Sequence, residues 1–300
     1  MKRAVLVLLS LGLLVAVGGT AQASRALDKA LVAQEPSAGL VVAAVGDIAC
    51  NRFASACNDD QTAALIAQHS PAAVLALGDN QYEKGALADY NASYDGSYGQ
   101  FKVITYPVPG NHEYLTAGAT GYYDYFGALA HGSPGYYAFD LNGWRLYALN
   151  SECRKIDCAA ERTWMVNDIK THPAQCQLFF THHPRYSSGS EHGSATIAKR
   201  FWVTAYAKKF ELALAGHDHD YERFAPMDPN GVVTSSGIRS FVSGLGGRSI
   251  SPLNAPVTGS EFGYDSDYGV LFLTIEPGSY SWEFRTISDV VVDAGSGACQ

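Results

Sequence analysis

The chain has 300 residues, a formal net charge of -8, 47% hydrophobic residues and 17% charged residues. That hydrophobic share excludes a disordered chain. An acidic balance without a run of Lys or Arg argues against nucleic acid as the main partner. Abundant glycine (30) and 12% aromatics point to a loop-rich α/β or β protein rather than a helical bundle.

Lys2 and Arg3 precede an apolar stretch, residues 4–17, and Ala21-Gln22-Ala23 supplies a small-x-small site. This pattern predicts a secretory signal peptide over 1–23. The stretch is short for a membrane span, which needs about 20 residues. Residues 24–38 read as a linker and 39–300 as one domain, without internal repeats or a later segment of span length. The expected location is secreted, periplasmic or extracellular.

Residues 40–45 form an apolar run ending in Gly46-Asp47, the pattern of a buried strand. Asn58 with Gln61 resembles a capping box and predicts a helix over 62–69. Residues 73–77 predict a second buried strand, ending in Gly78-Asp79, and 103–108 a third, before Gly110-Asn111-His112. Residues 136–141 and 144–149, around Asn142-Gly143, predict a β-hairpin. Helical periodicity covers 161–172 and 194–209. Strands are expected at 177–180, running into Thr181-His182-His183, and at 211–215, ending in Gly216-His217-Asp218-His219. A strand at 238–243 leads into a glycine-rich turn, and a C-terminal hairpin spans 269–276 and 280–286. Such a mixture of β-α-β units and hairpins predicts an α/β fold with more than one sheet.

Export gives the six Cys a meaning, since an even count in an oxidising compartment predicts disulfides. Cys50 lies close to Cys57 and Cys153 to Cys158, so local bridges are expected. Cys176 and Cys299 are then left for each other, a pairing that stays open. No common zinc motif fits these spacings.

Five strand ends carry the chemistry. They supply Asp47, Asp79, Asn111, His182 and the pair His217 and His219. Gly precedes the polar residue at four of them, where backbone must approach a ligand closely. Ligand sites of α/β proteins lie at the carboxyl ends of strands. Carboxylates, an amide oxygen and imidazoles suit zinc, iron or manganese. Six such groups exceed the needs of one tetrahedral ion, so a two-metal site is expected.

The order of these motifs resembles the calcineurin-like metallophosphoesterases: a strand-end Asp47, then Gly78-Asp79, Gly110-Asn111-His112-Glu113, His182 and Gly216-His217-Asp218-His219. Ala49 stands where many members have a metal-binding His, and Tyr82 stands three residues after Asp79. With Gly216 through Arg223, and with His182-x-Pro184 followed by Tyr186 and His192, this looks like the purple acid phosphatase branch. The resemblance implies a four-layer α-β-β-α sandwich with two mixed sheets. It also implies that Asp47, Tyr82 and His219 take one ion, that Asn111, His182 and His217 take the second, and that Asp79 bridges them. A phenolate favours Fe(III), leaving a divalent ion (Zn, Fe or Mn) at the second position.

The implied reaction is hydrolysis of a small phosphate monoester by a metal-bound hydroxide. His112 and His192 are candidates for the proton to the leaving oxygen. His183 is a substrate-binding candidate, although an exchange of roles with His182 stays open. Arg185, Arg223 and Arg248 are candidates for phosphate oxygens. A phosphodiesterase or nucleotidase on the same site, and a catalytically dead secreted binding protein, are the alternatives. Oligomeric state is not legible.

Overall fold

Apolar runs covered on both faces make the central strands of the two sheets, as their composition requires. The computed structural model describes residues 38–51 and 57–300. The expected signal peptide and the linker through residue 37 lie outside the described residues. One sheet contains β1 (Leu40–Val45), β2 (Ala73–Leu77), β3 (Thr105–Val108), β11 (Gly269–Glu276), β12 (Ser279–Thr286) and β13 (Val291–Ala298). Their order is β13-β12-β11-β1-β2-β3, with β1, β2 and β3 parallel and β11 antiparallel to β1. The other holds β4 (Tyr137–Leu141), β5 (Trp144–Ala148), β6 (Cys176–Phe180), β7 (Leu212–Ala215), β8 (Tyr221–Phe224), β9 (Arg239–Ser243) and β10 (Ser260–Tyr264). It runs β10-β8-β9-β7-β6-β5-β4, parallel from β5 through β9 and antiparallel at both edges.

Alternate side chains of the two sheets meet face to face. Val42, Ala44, Leu75 and Leu77 pack with Trp144, Leu146, Leu178, Phe180 and Leu214. Each such large side chain contributes about 1.5–3 kcal/mol by leaving water. The outer face of the first sheet is covered by helix Asp59–His69, by the helical run 87–104 and by helix Thr120–Phe126. There Ile66, Tyr90, Tyr94, Tyr98 and Tyr122 pack on Val45, Val74 and Ala76. Helices Cys158–Thr171 and Lys199–Ala207 cover the second sheet through Met165, Phe201 and Trp202 against Tyr147 and Phe179. The result is the expected α-β-β-α sandwich with two mixed sheets.

Several boundaries move for identifiable reasons. Val103 and Ile104 belong to the 3-10 helix Tyr98–Ile104 rather than to β3, and Val103 is 86% exposed. Helix Asp59–His69 begins three residues early with no side-chain cap bond from Asn58, whose Oδ1 instead accepts from Gln61 Nε2 at 2.7 Å. Asp59 and Asp60 complement the helix dipole in that first turn. Helix Cys158–Thr171 starts at Cys158, not 161, because the Asp157 carboxylate accepts from the Ala159 and Ala160 amides at 2.9 and 3.1 Å. The helix expected over 194–209 is shorter, a 3-10 turn Thr196–Ala198 followed by Lys199–Ala207. Three disulfides form: Cys50–Cys57, Cys153–Cys158 and Cys176–Cys299.

Candidate metal centre

The parallel strands of both sheets end on the same side of the sandwich, and the chain turns sharply at each end. Asp47, Asp79 and His217 take positive φ (60°, 46° and 76°). That conformation is costly for a non-glycine residue and points to a local constraint. Glycine at the preceding position lets the strand ends close on one another. A Cβ on Gly110 would run into Asp79 Oδ1, and one on Gly216 would sit 2.6 Å from Asp47 Oδ2.

Each carboxylate spends one oxygen on the backbone and turns the other inward. Asp47 Oδ2 accepts the His217 amide at 2.8 Å, and Asp79 Oδ1 accepts the His112 amide at 2.8 Å. Toward the centre, the Tyr82 hydroxyl lies 2.8 Å from Asp47 Oδ1, 3.1 Å from Asp79 Oδ2 and 3.1 Å from His219 Nε2. One phenolic proton cannot serve three such neighbours. Burial, then the charges of Asp47 and Asp79, push the Tyr82 pKa well above the usual phenol range. His219 is oriented from behind by Ser249 Oγ, 2.6 Å from its Nδ1.

A second cluster adjoins the first. His182 Nδ1 lies 3.0 Å from the Leu77 carbonyl, which can only accept, so that nitrogen carries a proton. His182 Nε2 then faces Asn111 Oδ1 at 3.0 Å, His217 Nδ1 at 3.1 Å and Asp79 Oδ2 at 3.3 Å. Candidate ligand atoms of Asp79, His182 and His217 all lie within 4.8 Å of one another, which makes this a metal-binding site. Burial opposes charge on His182, yet Asp79 beside it lifts its pKa to about 10. Burial and the neighbouring His182 hold His217 well below the imidazole range. Asp79 is likewise buried, but His182 keeps its carboxyl well below the carboxylate range. Acceptor atoms crowded around shared protons are places where a cation substitutes for a proton. The donor set thus fits two ions.

Glu113 braces this arrangement from beneath. Its Oε1 accepts the amides of Asn80 (2.9 Å) and Gln81 (3.2 Å) and the Tyr90 hydroxyl (2.9 Å), while Oε2 accepts the Gly110 amide at 2.7 Å. It therefore ties the loop of Asp79 and Tyr82 to the loop of Asn111. Burial and nearby Asp79 raise its pKa to about 7, against the backbone bonds. The Asn-His-Glu sequence was the only signal for this role, which motif reading left unassigned.

The remaining candidates divide between the rim and elsewhere. His112 donates from Nδ1 to the Glu83 carbonyl at 2.6 Å and presents Nε2 to the centre, 3.9 Å from Asp79 Oδ2. His192 is exposed and stacks on His217 with ring centroids 4.0 Å apart. The His183 ring lies beside the candidate ligands, 4.3 Å from that of His217, with its Nδ1 turned to Ser151 Oγ at 3.0 Å and Glu152 Oε1 at 3.1 Å. Arg248 lies over the Tyr82 ring at 5.0 Å and pairs with Glu83. Arg185 lies over Tyr186 and donates to the Pro229 carbonyl at 3.2 Å, and Arg223 pairs with Asp293 and Glu261. Neither of these two arginines is among the residues gathered at the centre.

The calcineurin-like phosphoesterase profile matches residues 40–221, which carry every one of these ligand candidates. The chain belongs to that family. Solved structures with the same fold include a purple acid phosphatase from yellow lupin (Lupinus luteus) seeds, 20% identical, with a TM-score of 0.68 over 87% of this chain and 54% of that one. The chain thus spans about half the length of the lupin protein. GAP50, described as the anchor in the inner membrane complex of Plasmodium, matches with 15% identity and a TM-score of 0.65 over 88% of this chain and 90% of its own. A dimetal phosphatase from Danio rerio matches with 13% identity and a TM-score of 0.61 over 89% and 100%. No curated protein matches the chain by sequence.

Proposed function

We propose that the protein is an exported, dinuclear phosphatase acting on phosphate monoesters, of the purple acid phosphatase type. The observation that carries this reading is the Tyr82 hydroxyl set among Asp47, Asp79 and His219. Asp47, Tyr82 and His219 would hold Fe(III), Asn111, His182 and His217 a divalent Zn, Fe or Mn, and Asp79 both. When bound, such ions supply Lewis acidity toward phosphoryl oxygens and an acidified water. Export is supported by the leader pattern of residues 1–23 and by the three disulfides. Among the described residues no helix is long and apolar enough to cross a membrane.

The chain's own groups divide the remaining work. Asp47 and Asp79 keep their inward oxygens aimed because their outer oxygens are held by backbone amides. His182 presents Nε2 because Leu77 fixes its tautomer. His112, a quarter exposed, has Nδ1 fixed by Glu83 and offers Nε2 to a phosphoryl or leaving oxygen. His192, stacked on the His217 ring, would give a proton to the departing oxygen.

The test compares the protein with Asp79→Ala, both supplied with iron and zinc, on an aryl phosphate and on a bis-aryl phosphate. The reading expects faster turnover of the monoester and loss of most activity in the variant, since both ions depend on Asp79. Undiminished hydrolysis by Asp79→Ala in chelator would overturn it. Preference for the bis-aryl ester would favour a diesterase, and stoichiometric metal without turnover a binding protein.

A further inference from the structure

Asp218 stands between two candidate ligands, His217 and His219, and motif reading leaves it unassigned. It is fully buried, and its Oδ1 faces the loop that carries His192. That oxygen accepts the amides of His192 at 3.0 Å and Gly193 at 3.3 Å. Its Oδ2 has no partner among the described residues, so these two amides are what the side chain holds. The loop, residues 187–194, is tied down at its other end by Glu222. There Oε2 accepts the Ser188 amide at 2.7 Å and Oε1 the Ser188 hydroxyl at 2.6 Å. Between the two carboxyls the Ser190 amide donates to the Pro252 carbonyl at 3.1 Å. The loop lies so close to Asp218 that only glycine fits at 189, where a Cβ would sit 2.3 Å from Asp218 Cγ.

These bonds close a circuit. The His217 amide is fixed by Asp47 Oδ2 at 2.8 Å, and the next residue, Asp218, fixes the backbone of His192. The His192 ring then lies back on the His217 ring, with centroids 4.0 Å apart and planes 21° apart. A candidate ligand and the candidate proton donor thus share one frame. The carboxyl that joins them belongs to neither candidate ligand set.

We propose that Asp218 is a positioning residue for His192, holding its imidazole over His217 where it protonates the leaving oxygen of a monoester. The proposal rests on the phosphatase reading above. As a water oxygen bonds to phosphorus, the bond from phosphorus to the ester oxygen breaks, and its electron pair stays on the ester oxygen. That oxygen takes the proton of the His192 imidazolium, leaving an alcohol and a neutral ring. A proton lost by the attacking water restores the imidazolium by way of solvent. An alkoxide leaves poorly without this proton, whereas nitrophenolate leaves well without it. Correct placement of His192 therefore shows in the leaving-group dependence of turnover, which a general loss of stability does not alter.

The experiment measures kcat and KM of the metal-loaded full chain for ethyl phosphate and para-nitrophenyl phosphate. The parent is compared with Asp218→Ala, Asp218→Asn, Gly189→Ala and His192→Ala, with metal content and thermal unfolding recorded for each. In Asp218→Ala, kcat for ethyl phosphate should fall by about tenfold or more beyond any fall for the nitrophenyl ester, with KM little changed. Gly189→Ala, which pushes the loop off Asp218 without altering the ligand strand, should show the same selective loss even if Asp218→Ala folds poorly. Asp218→Asn keeps an oxygen toward the two amides and should recover most of the activity. Added to His192→Ala, Asp218→Ala should lower kcat for ethyl phosphate no further. Equal losses on the two esters in Asp218→Ala and Gly189→Ala would overturn the proposal, and so would losses that multiply in the double variant. A parent inert on both esters would instead remove the phosphatase reading on which it stands.

Discussion

Glu113→Gln tests whether the metal ligands are placed by the bracing carboxylate beneath them. Glu113 is fully buried and accepts four hydrogen bonds, three at Oε1 and one at Oε2. Gln keeps the shape but offers one acceptor oxygen. Its best orientation keeps the oxygen toward Asn80, Gln81 and Tyr90 and sets its NH2 against the Gly110 amide, donor to donor. One buried donor then loses its partner, at a cost of about 1–3 kcal/mol. In a chain of this size that corresponds to a fall in Tm of roughly 2–10 °C. Gly110 directly precedes Asn111, so the same cost should appear in metal affinity, as roughly a 5- to 140-fold loss at 1.4 kcal/mol per decade. Thermal unfolding in chelator and calorimetric titration with Zn or Mn measure the two effects. Tyr90→Phe, which removes one donor and leaves no bare backbone group, is the matched control and should cost less on both counts. A Glu113→Gln protein with unchanged Tm and unchanged metal affinity would refute the role given to Glu113.

Two further outcomes are expected. Tyr82→Phe should abolish the visible charge-transfer band of the iron-loaded protein while leaving it folded, and an iron-replete protein whose spectrum is the same with and without the substitution would exclude Tyr82 as a ligand. Burial alone would raise the Asp168 carboxyl, but Arg145 (2.9 and 2.8 Å) and Tyr147 hold it below its ordinary range. A folded value below the unfolded one gives stability that is present above about pH 4 and lost as pH falls through the folded value. Arg145→Met should therefore lower Tm clearly at pH 7 and progressively less below pH 4, and a constant difference from pH 7 to 3 would contradict this.

The site was legible because its parts are local. A buried parallel strand reads as an unbroken apolar run, and the residue that turns back over its end must be Gly followed by a polar group, as at Gly46-Asp47 and Gly78-Asp79. The helical run 87–104 was not legible, because tyrosines, glycines and Asn91 dominate it and its stability comes from rings on other segments. Tyr90 stacks on Tyr125 at 4.8 Å, and Tyr94 meets Tyr125 edge-on at 5.5 Å. Strand β13 was missed for a similar reason. Gly295 and Gly297 look like loop residues, yet a Cβ at either would collide with the rings of Trp282 and Tyr280 on β12. Glu113, Ser249 and the Ser151–Glu152 pair were unreadable as partners, since each acts across segments distant in sequence.

The candidate ligands are divided between the two halves of the sandwich: Asp47, Asp79, Tyr82 and Asn111 follow β1, β2 and β3, whereas His182, His217 and His219 follow β6 and β7. At the far end, the Cys176–Cys299 disulfide joins the start of β6 to the residue after β13, 123 positions away in sequence. The sheets are thus laced covalently at one end, and cations at the other would act as rivets through both leaves of the sandwich. Chemistry and durability then depend on the same atoms. Stripping the metal would open the leaves where the disulfide cannot restrain them, exposing the strand ends to proteases, and the chain would gain its resistance at the moment the cations bind.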